Sequence, residues 1–264
     1  MRAVVVTLLA AVLTACSSSP PETPSRAVSA LGPIATITPT SFGDTDPHEW
    51  VTIAPWHYPV HGIDVSKYQG DIDWYRVRAA GVGFAFIKAT EGGDHVDDRF
   101  AQNWAAARLA GVPRGAYHYY YFCRPAVEQV AWFINHVPRD SAALPPVLDL
   151  EWNHRSRTCP YRPDPNTVRN EASLFLKAVN IHYGKRPIIY TTVDFYRDNE
   201  LWRLDNYPFW LRSVAGHPSD VYPGQRWSFW QYTGTGVVDG IDGPTDLNVF
   251  SGSFQQIVNL TNGG

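Results

Sequence analysis

From residue 61 onward the chain switches between two hydrophobic rhythms. Short apolar or alternating runs predict strands over residues 61–68, 84–89, 115–122, 146–152 and 188–192. Between them, apolar residues recur at helical spacing. Residues 73–80 predict a short helix ended by Gly81, and 98–110 a helix with Phe100, Trp104 and Ala107 on one face and Gly111 as the stop. Residues 125–137 predict a helix whose stripe is Val127, Val130, Ala131 and Ile134. The longest helix is predicted over 166–183, burying Val168, Ala172, Phe175 and Val179.

Five β-α or β-loop units in succession predict a parallel sheet covered by helices, because parallel strands need crossover connections. After residue 205 the pattern changes: 209–214, 228–232 and 246–250 read as strands with few helical residues between them. A barrel that begins as repeated β/α units and closes with bare strands fits this order. Functional side chains in such barrels gather at the C-terminal ends of the strands.

The N-terminal region has a different character. Met1-Arg2 and the apolar stretch up to Ala15 read as a signal-peptide core, too short to span a bilayer. It ends in Leu13-Thr14-Ala15-Cys16, which resembles the lipobox of bacterial lipoproteins and makes Cys16 the expected lipid-attachment site; an ordinary secretory signal with an incidental cysteine is the alternative. Residues 16–55, rich in Pro, Ser and Thr, read as a tether to a folded domain over 56–264. With Cys16 assigned to lipid, Cys123 and Cys159 remain of the three cysteines, and an even remainder in an exported protein predicts one disulfide, with two free thiols as the alternative.

Composition narrows the function classes. Of 264 residues, 44% are hydrophobic and 18% charged, which suits a globular chain. Lys+Arg 22 against Asp+Glu 25 gives a net charge of -3 without a long basic run, so phosphate-driven nucleic-acid binding is not expected. Aromatic residues reach 14%, with 10 Trp and 14 Tyr, enough for both a ring-rich core and a sugar-binding groove.

The strongest chemical signal is Leu148-Asp149-Leu150-Glu151-Trp152. Strand side chains alternate, so Asp149 and Glu151 share one face. Two carboxylates side by side at a strand end resist joint ionisation; ion pairing or plain solvation at the rim is the bland alternative. Asp64 ends the first strand and Asp246 lies in the last, and a closed barrel makes those strands neighbours. No Lys or Arg on these strands matches the acids. Paired carboxylates flanking a sugar bond are the usual equipment for glycoside hydrolysis. His61 and His118 lack the company of a zinc site and read as structural, and no Gly-rich phosphate loop follows a strand.

Six motifs then occur in order: Gly-Ile-Asp-Val-Ser-Lys-Tyr-Gln-Gly (62–70), Gly-Ala-Tyr-His-Tyr (115–119), Asp-Leu-Glu (149–151), Ile-Tyr-Thr (189–191), Phe-Trp-Gln-Tyr (229–232) and Thr-Asp-Leu-Asn (245–248). The ordered set resembles glycoside hydrolase family 25, the Chalaropsis-type lysozymes, over about residues 60–254. The resemblance implies an α/β fold, a modified TIM-like barrel of five β/α units followed by three closing strands. It implies cleavage of the β-1,4 bond between N-acetylmuramic acid and N-acetylglucosamine in peptidoglycan; separately, a monomer without cofactor or metal is expected. Glu151 matches the general acid, Asp149 the carboxylate that orients the substrate's N-acetyl group, and Asp64 and Asp246 the remaining acids. Tyr117, Tyr119, Tyr190, Trp210 and Gln231 match the substrate-binding wall, with packing of the rings into the barrel core as the alternative. Leu211-Arg212-Ser213 departs from the pattern, where small residues and then an aromatic are expected, and Tyr68 stands where Trp is frequent. The leading reading is a lipid-anchored muramidase of the cell envelope, on the outer membrane or the periplasmic face. The others are an inactive peptidoglycan-binding lipoprotein and a hydrolase using the acids to hold a hard cation.

Overall fold

The computed structural model describes residue 44, residues 53–154 and residues 156–261. The signal segment 1–15, Cys16 and most of the 16–55 stretch lie outside the described residues. Among the described residues, nine strands form one sheet: β1 (Val60–Val65), β2 (Phe84–Glu91), β3 (His95–Val96), β4 (Arg114–Tyr119), β5 (Val147–Leu150), β6 (Ile188–Thr191), β7 (Phe209–Arg212), β8 (Phe229–Gly236) and β9 (Thr245–Phe250). Their order is β1-β9-β8-β7-β6-β5-β4-β2-β3, and a further β1–β2 pairing closes the ring, leaving β3 as a hairpin arm on β2. Every pairing from β1 through β2 and β4 to β8 is parallel. β9 alone runs antiparallel within the ring, against both β8 and β1. An antiparallel strand returns through a short loop and needs no crossover helix, and none separates β8 from β9; the parallel step from β7 to β8 carries only the one-turn helix Pro218–Val221.

The helices are α1 (Trp74–Ala79), α2 (Phe100–Leu109), α3 (Ala126–His136), α4 (Pro165–Tyr183), α5 (Val193–Asp198), α6 (Pro218–Val221) and α7 (Phe254–Thr261). Their starts follow from capping chemistry. The Asp73 carboxylate accepts the backbone N–H groups of Tyr75 and Arg76 at 3.1 Å, and Asp164 does the same for Asn166 and Thr167 at 3.0 and 3.1 Å. Helix α4 buries Val168, Ala172, Phe175 and Val179, as its spacing predicts. Helix α3 does not follow its apolar stripe. Val127 is 61% exposed and Ala131 is exposed as well, while Ala126, Gln129 and Phe133 face the barrel. Gln129 is the reason. Its Nε2 donates to the carbonyls of Tyr121 and Arg124 at 2.8 and 2.9 Å, and its Oε1 accepts from the Tyr121 N–H at 2.9 Å and meets His118 Nε2 at 3.0 Å. A fully satisfied amide is at home in a core, and a count of apolar positions alone misreads the face by about one residue. Strand β1 also ends earlier than its pattern suggests, because Ser66 caps a 3-10 turn over Lys67–Gln69.

Alternation along the strands separates two cores. Val60, Phe84, Phe86, Val147, Ile188, Tyr190, Trp210, Phe229 and Phe250 fill the barrel, and Ile63, Ile87, Leu148, Ile189, Leu211 and Val249 pack outward against the helices. Phe229 lies 5.1 Å from Phe84 and 4.9 Å from Phe250 between ring centroids, plugging the end where the parallel strands start. Gly62 makes room for this plug, since a Cβ there would lie 2.5 Å from the Phe84 ring. The barrel is therefore open for chemistry only at the other end.

Cys123 and Cys159 form the expected disulfide, with Cα atoms 5.6 Å apart. It ties the loop after β4 to the loop after β5 at the open mouth. Replacing both cysteines by serine is expected to lower stability by about 4 kcal/mol in the chain-entropy model, read as a lower urea midpoint than that of the oxidised parent.

Candidate active site

The inward-facing residues at the strand ends carry almost all of the polar chemistry. Asp64 on β1 is buried, and its Oδ2 accepts Nε2–H of Gln231 and Nδ2–H of Asn248, each at 2.8 Å. Those amides are held from behind: Tyr190 donates its hydroxyl to Gln231 Oε1 at 2.9 Å, and Trp210 Nε1–H donates to Asn248 Oδ1 at 2.7 Å. Four neighbouring strands, β6 to β9, thus converge their polar groups on one carboxyl. Asp246 stands directly opposite Asp64 in the β1–β9 register.

Asp149, on β5, and Glu151, just past its end, complete the group. Asp149 is buried and its Oδ1 has no hydrogen-bond partner. Burial, and then the nearby charge of Glu151, hold the Asp149 carboxyl well above the usual carboxylate range, with Lys88 opposing. Glu151 is also raised by burial, against the pull of Arg212, a hydrogen bond from Tyr119, and Lys88. Burial pushes Asp64 up to about 6 despite its two amide donors and Arg212. Asp246 is raised by burial first and by Asp64 next. The four predicted acids therefore share one electrostatic neighbourhood in which burial and like charge oppose their joint ionisation.

The predicted aromatic wall divides by depth. Tyr117 and Tyr119 are half-buried among the acids, whose charges help raise both phenols after burial. Tyr190 and Gln231 are buried and spent on the Asp64 network. Trp210 is 2% exposed, its ring lying 4.6 Å from Phe86 and 4.5 Å from Tyr190 between centroids. It offers no open face and instead supports Asn248. His61 and His118 lie on the outward faces of β1 and β4. His118 sits between Thr90 Oγ1 at 2.7 Å and Gln129 Oε1 at 3.0 Å, stacked on Phe175, and burial pushes both imidazoles down to about 4.

Three charged groups at this mouth receive no role in the reading of motifs. Lys88 on β2 ion-pairs with Glu91 at 2.5 Å, and its Nζ lies 4.8 Å from the Tyr119 ring centroid. Arg212 ends β7 two residues after inward-facing Trp210, so alternation alone puts it on the inner face. The acids lack cations on their own strands; β2 and β7 supply them. Asp44, in the stretch read as tether, accepts the Gly234 N–H at 2.8 Å and the Thr235 hydroxyl at 3.3 Å, and also the Thr233 hydroxyl. Its charge adds to those raising Asp246. Among the described residues, no three His, Cys, Asp or Glu side chains are arranged to hold a metal ion.

Comparison with known proteins finds that the model of the family described as Glycosyl hydrolases family 25 matches residues 63–241. The chain is 39% identical over 214 residues to Uncharacterized protein YegX of Escherichia coli strain K12, covering 79% of this chain and 76% of that one. It is 37% identical over 214 residues to Lysozyme M1 of Streptomyces globisporus, covering 77% and 71%. The solved structure of a family 25 glycosyl hydrolase from Bacillus anthracis superposes with a TM-score of 0.72 at 36% identity, covering 81% of this chain and 96% of that one.

Proposed function

The chain belongs to family 25 of the glycosyl hydrolases, and from that premise we propose that it is a muramidase, cutting the β-1,4 bond that follows N-acetylmuramic acid in peptidoglycan. The observation that carries this reading is the pair at the end of β5: Glu151, its carboxyl raised by burial, beside Asp149 with a buried oxygen left unpartnered. An orphaned buried carboxylate oxygen is a docking point for a donor, and the acetamido N–H of the substrate sugar is such a donor.

In the proposed reaction Glu151 gives its proton to the departing glycosidic oxygen while the acetamido carbonyl oxygen attacks C1. The C1–O bond to the leaving sugar breaks as the new C1–O bond forms a cyclic cation, and Asp149 balances that charge through the N–H. Glu151, now a carboxylate, takes a proton from the water that reopens the ring at C1, which regenerates the acid. Asp64 and Asp246 set the field, with Asp64 fixed by Gln231 and Asn248. Tyr117 and Tyr119 are the rings proposed to border the sugar. The lysozyme and N,O-diacetylmuramidase names of relatives support peptidoglycan as the polymer, and the Cys16 motif supports attachment to the cell envelope through lipid.

Digestion of purified peptidoglycan followed by mass analysis tests this directly. Fragments with muramic acid at the new reducing end are expected; fragments ending in N-acetylglucosamine would overturn it. A second expectation concerns Arg212, which draws down Glu151, Asp246 and Asp64. Removing its charge by Arg212→Ala raises the Glu151 carboxyl further, so the alkaline limb of the pH–activity profile is expected to move to higher pH. An unmoved limb would show that Glu151 does not govern it.

A further inference from the structure

At the plugged end of the barrel, away from the acids, lies a groove of about 1290 Å³. Ile188 and Phe229, the first residues of β6 and β8, form part of its lining, so the barrel plug separates it from the catalytic mouth. Its walls come from the segments before β6, around α5, before β7 and before β8. They carry Arg186, Arg197, Arg226, Trp202, Tyr207 and Trp227.

Two features distinguish this groove from ordinary surface. The first is charge. Arg186, Arg197 and Arg226 are exposed, and among the described residues none has a carboxylate partner within ion-pair distance, although the whole chain carries a net charge of -3. Arg197 makes a 3.4 Å hydrogen bond to the Val221 carbonyl, and Asp205 is the acid on the lining. Lys185 is occupied, donating to the Ser141 and Thr261 carbonyls at 2.8 and 2.7 Å. The second is the rings. Trp202 is 44% exposed and held edge-on by Tyr196 at 5.6 Å, and Trp227 is half-buried and held edge-on by Tyr58 at 5.4 Å. Fixed flat rings suit the C–H faces of sugars, and forked guanidinium groups suit carboxylates. The volume exceeds the 300–1,000 Å³ or so of a small-molecule pocket and suits a segment of polymer.

We propose that this groove is a second binding site for peptidoglycan, gripping a glycan strand through the rings and its stem-peptide carboxylates through the arginines. It rests on the reading of the enzyme as a muramidase and extends it: the mouth cuts while the opposite end keeps the molecule on an insoluble wall. A concave groove with ringed walls fits a strand better than a lipid surface, which favours a flat or convex basic face.

The test uses the full chain carrying Cys16→Ser, so that no acyl group contributes, and compares it with the same chain bearing Arg186→Ala, Trp202→Ala and Arg226→Ala. Turnover of short soluble muropeptide oligomers is expected to stay within about twofold, while co-sedimentation with purified sacculi weakens roughly tenfold, about 1.4 kcal/mol. Binding is measured in a Glu151→Gln background, which keeps the sacculi whole and separates loss of grip from absence of cleavage. If the parent cuts nothing but still loses its grip with the groove mutations, the muramidase reading falls and the groove stands. Arg226→Glu alone, at an exposed position, is expected to act in the same direction without truncating a ring. Unchanged co-sedimentation of both variants would overturn the proposal. So would a parallel loss of soluble turnover, or groove-dependent binding to phosphatidylglycerol vesicles in place of sacculi.

Discussion

Glu151→Gln is expected to abolish the release of reducing ends from purified peptidoglycan while leaving the circular dichroism spectrum in place and the melting temperature no lower than that of the parent. The amide keeps the shape of the side chain and still accepts the hydrogen bond from Tyr119, but it has no proton to give the leaving oxygen. Loss of a positioned acid slows such reactions by about 10²–10⁴-fold, and in the proposed reaction the same group also serves as the base in the second half. The structure places no second raised carboxyl on the strand beyond Asp149, whose position suits the acetamido group. A variant that retained full activity would remove Glu151 from the role of acid.

Asp149→Asn is expected to slow turnover by about 10²–10⁴-fold and, unusually for a buried substitution, to make the protein more heat-stable. The two effects have one cause. Burial and Glu151 raise the Asp149 carboxyl above its unfolded value, so the folded chain binds more protons than the unfolded chain between those two values. Stability then falls as pH rises from the unfolded value, near 3.8, towards the folded one. A neutral amide removes that loss. The melting temperature at pH 7 is expected to rise by a few degrees, and the gain should vanish below about pH 4, where the acid is protonated in both states. Differential scanning calorimetry across this range is the check. A gain that persisted at pH 3 would mean that packing, and not charge, is responsible.

Much of the site is legible in the sequence because alternation along a strand decides which face a side chain takes. Asp149 and Glu151 declare themselves in five residues, and Asp64 and Asp246 follow once the ring is seen to bring the first and last strands together. Alternation does not, however, say how deep along the axis a residue sits. Trp210 is on the expected face, but it lies two positions below Arg212, roughly 7 Å at the rise of a strand, and so it ends in the packed layer and not at the rim. The cations were hidden for a different reason. Lys88 and Arg212 lie on strands that carry none of the four acids, and only the closed ring brings opposite charges together across the mouth. Gln129 shows the limit of apolar counting on helices, since a polar side chain with all its partners inside the fold counts as core. Asp44 is one of four acids in an aperiodic stretch rich in Pro, Ser and Thr, where no pattern distinguishes a docked residue from a free one.

The antiparallel strand that completes the ring has a consequence for how the molecule comes into being. The two amides that hold Asp64 arrive 167 and 184 residues after it, on the last two staves, and synthesis proceeds from the N-terminus. A nascent chain halted before β9 has Asp64 without Asn248, an open seam beside β1, and no opposing Asp246. A glycosyl hydrolase built this way stays blunt until its final stave has emerged, so fragments released by stalled ribosomes carry no assembled cluster of acids.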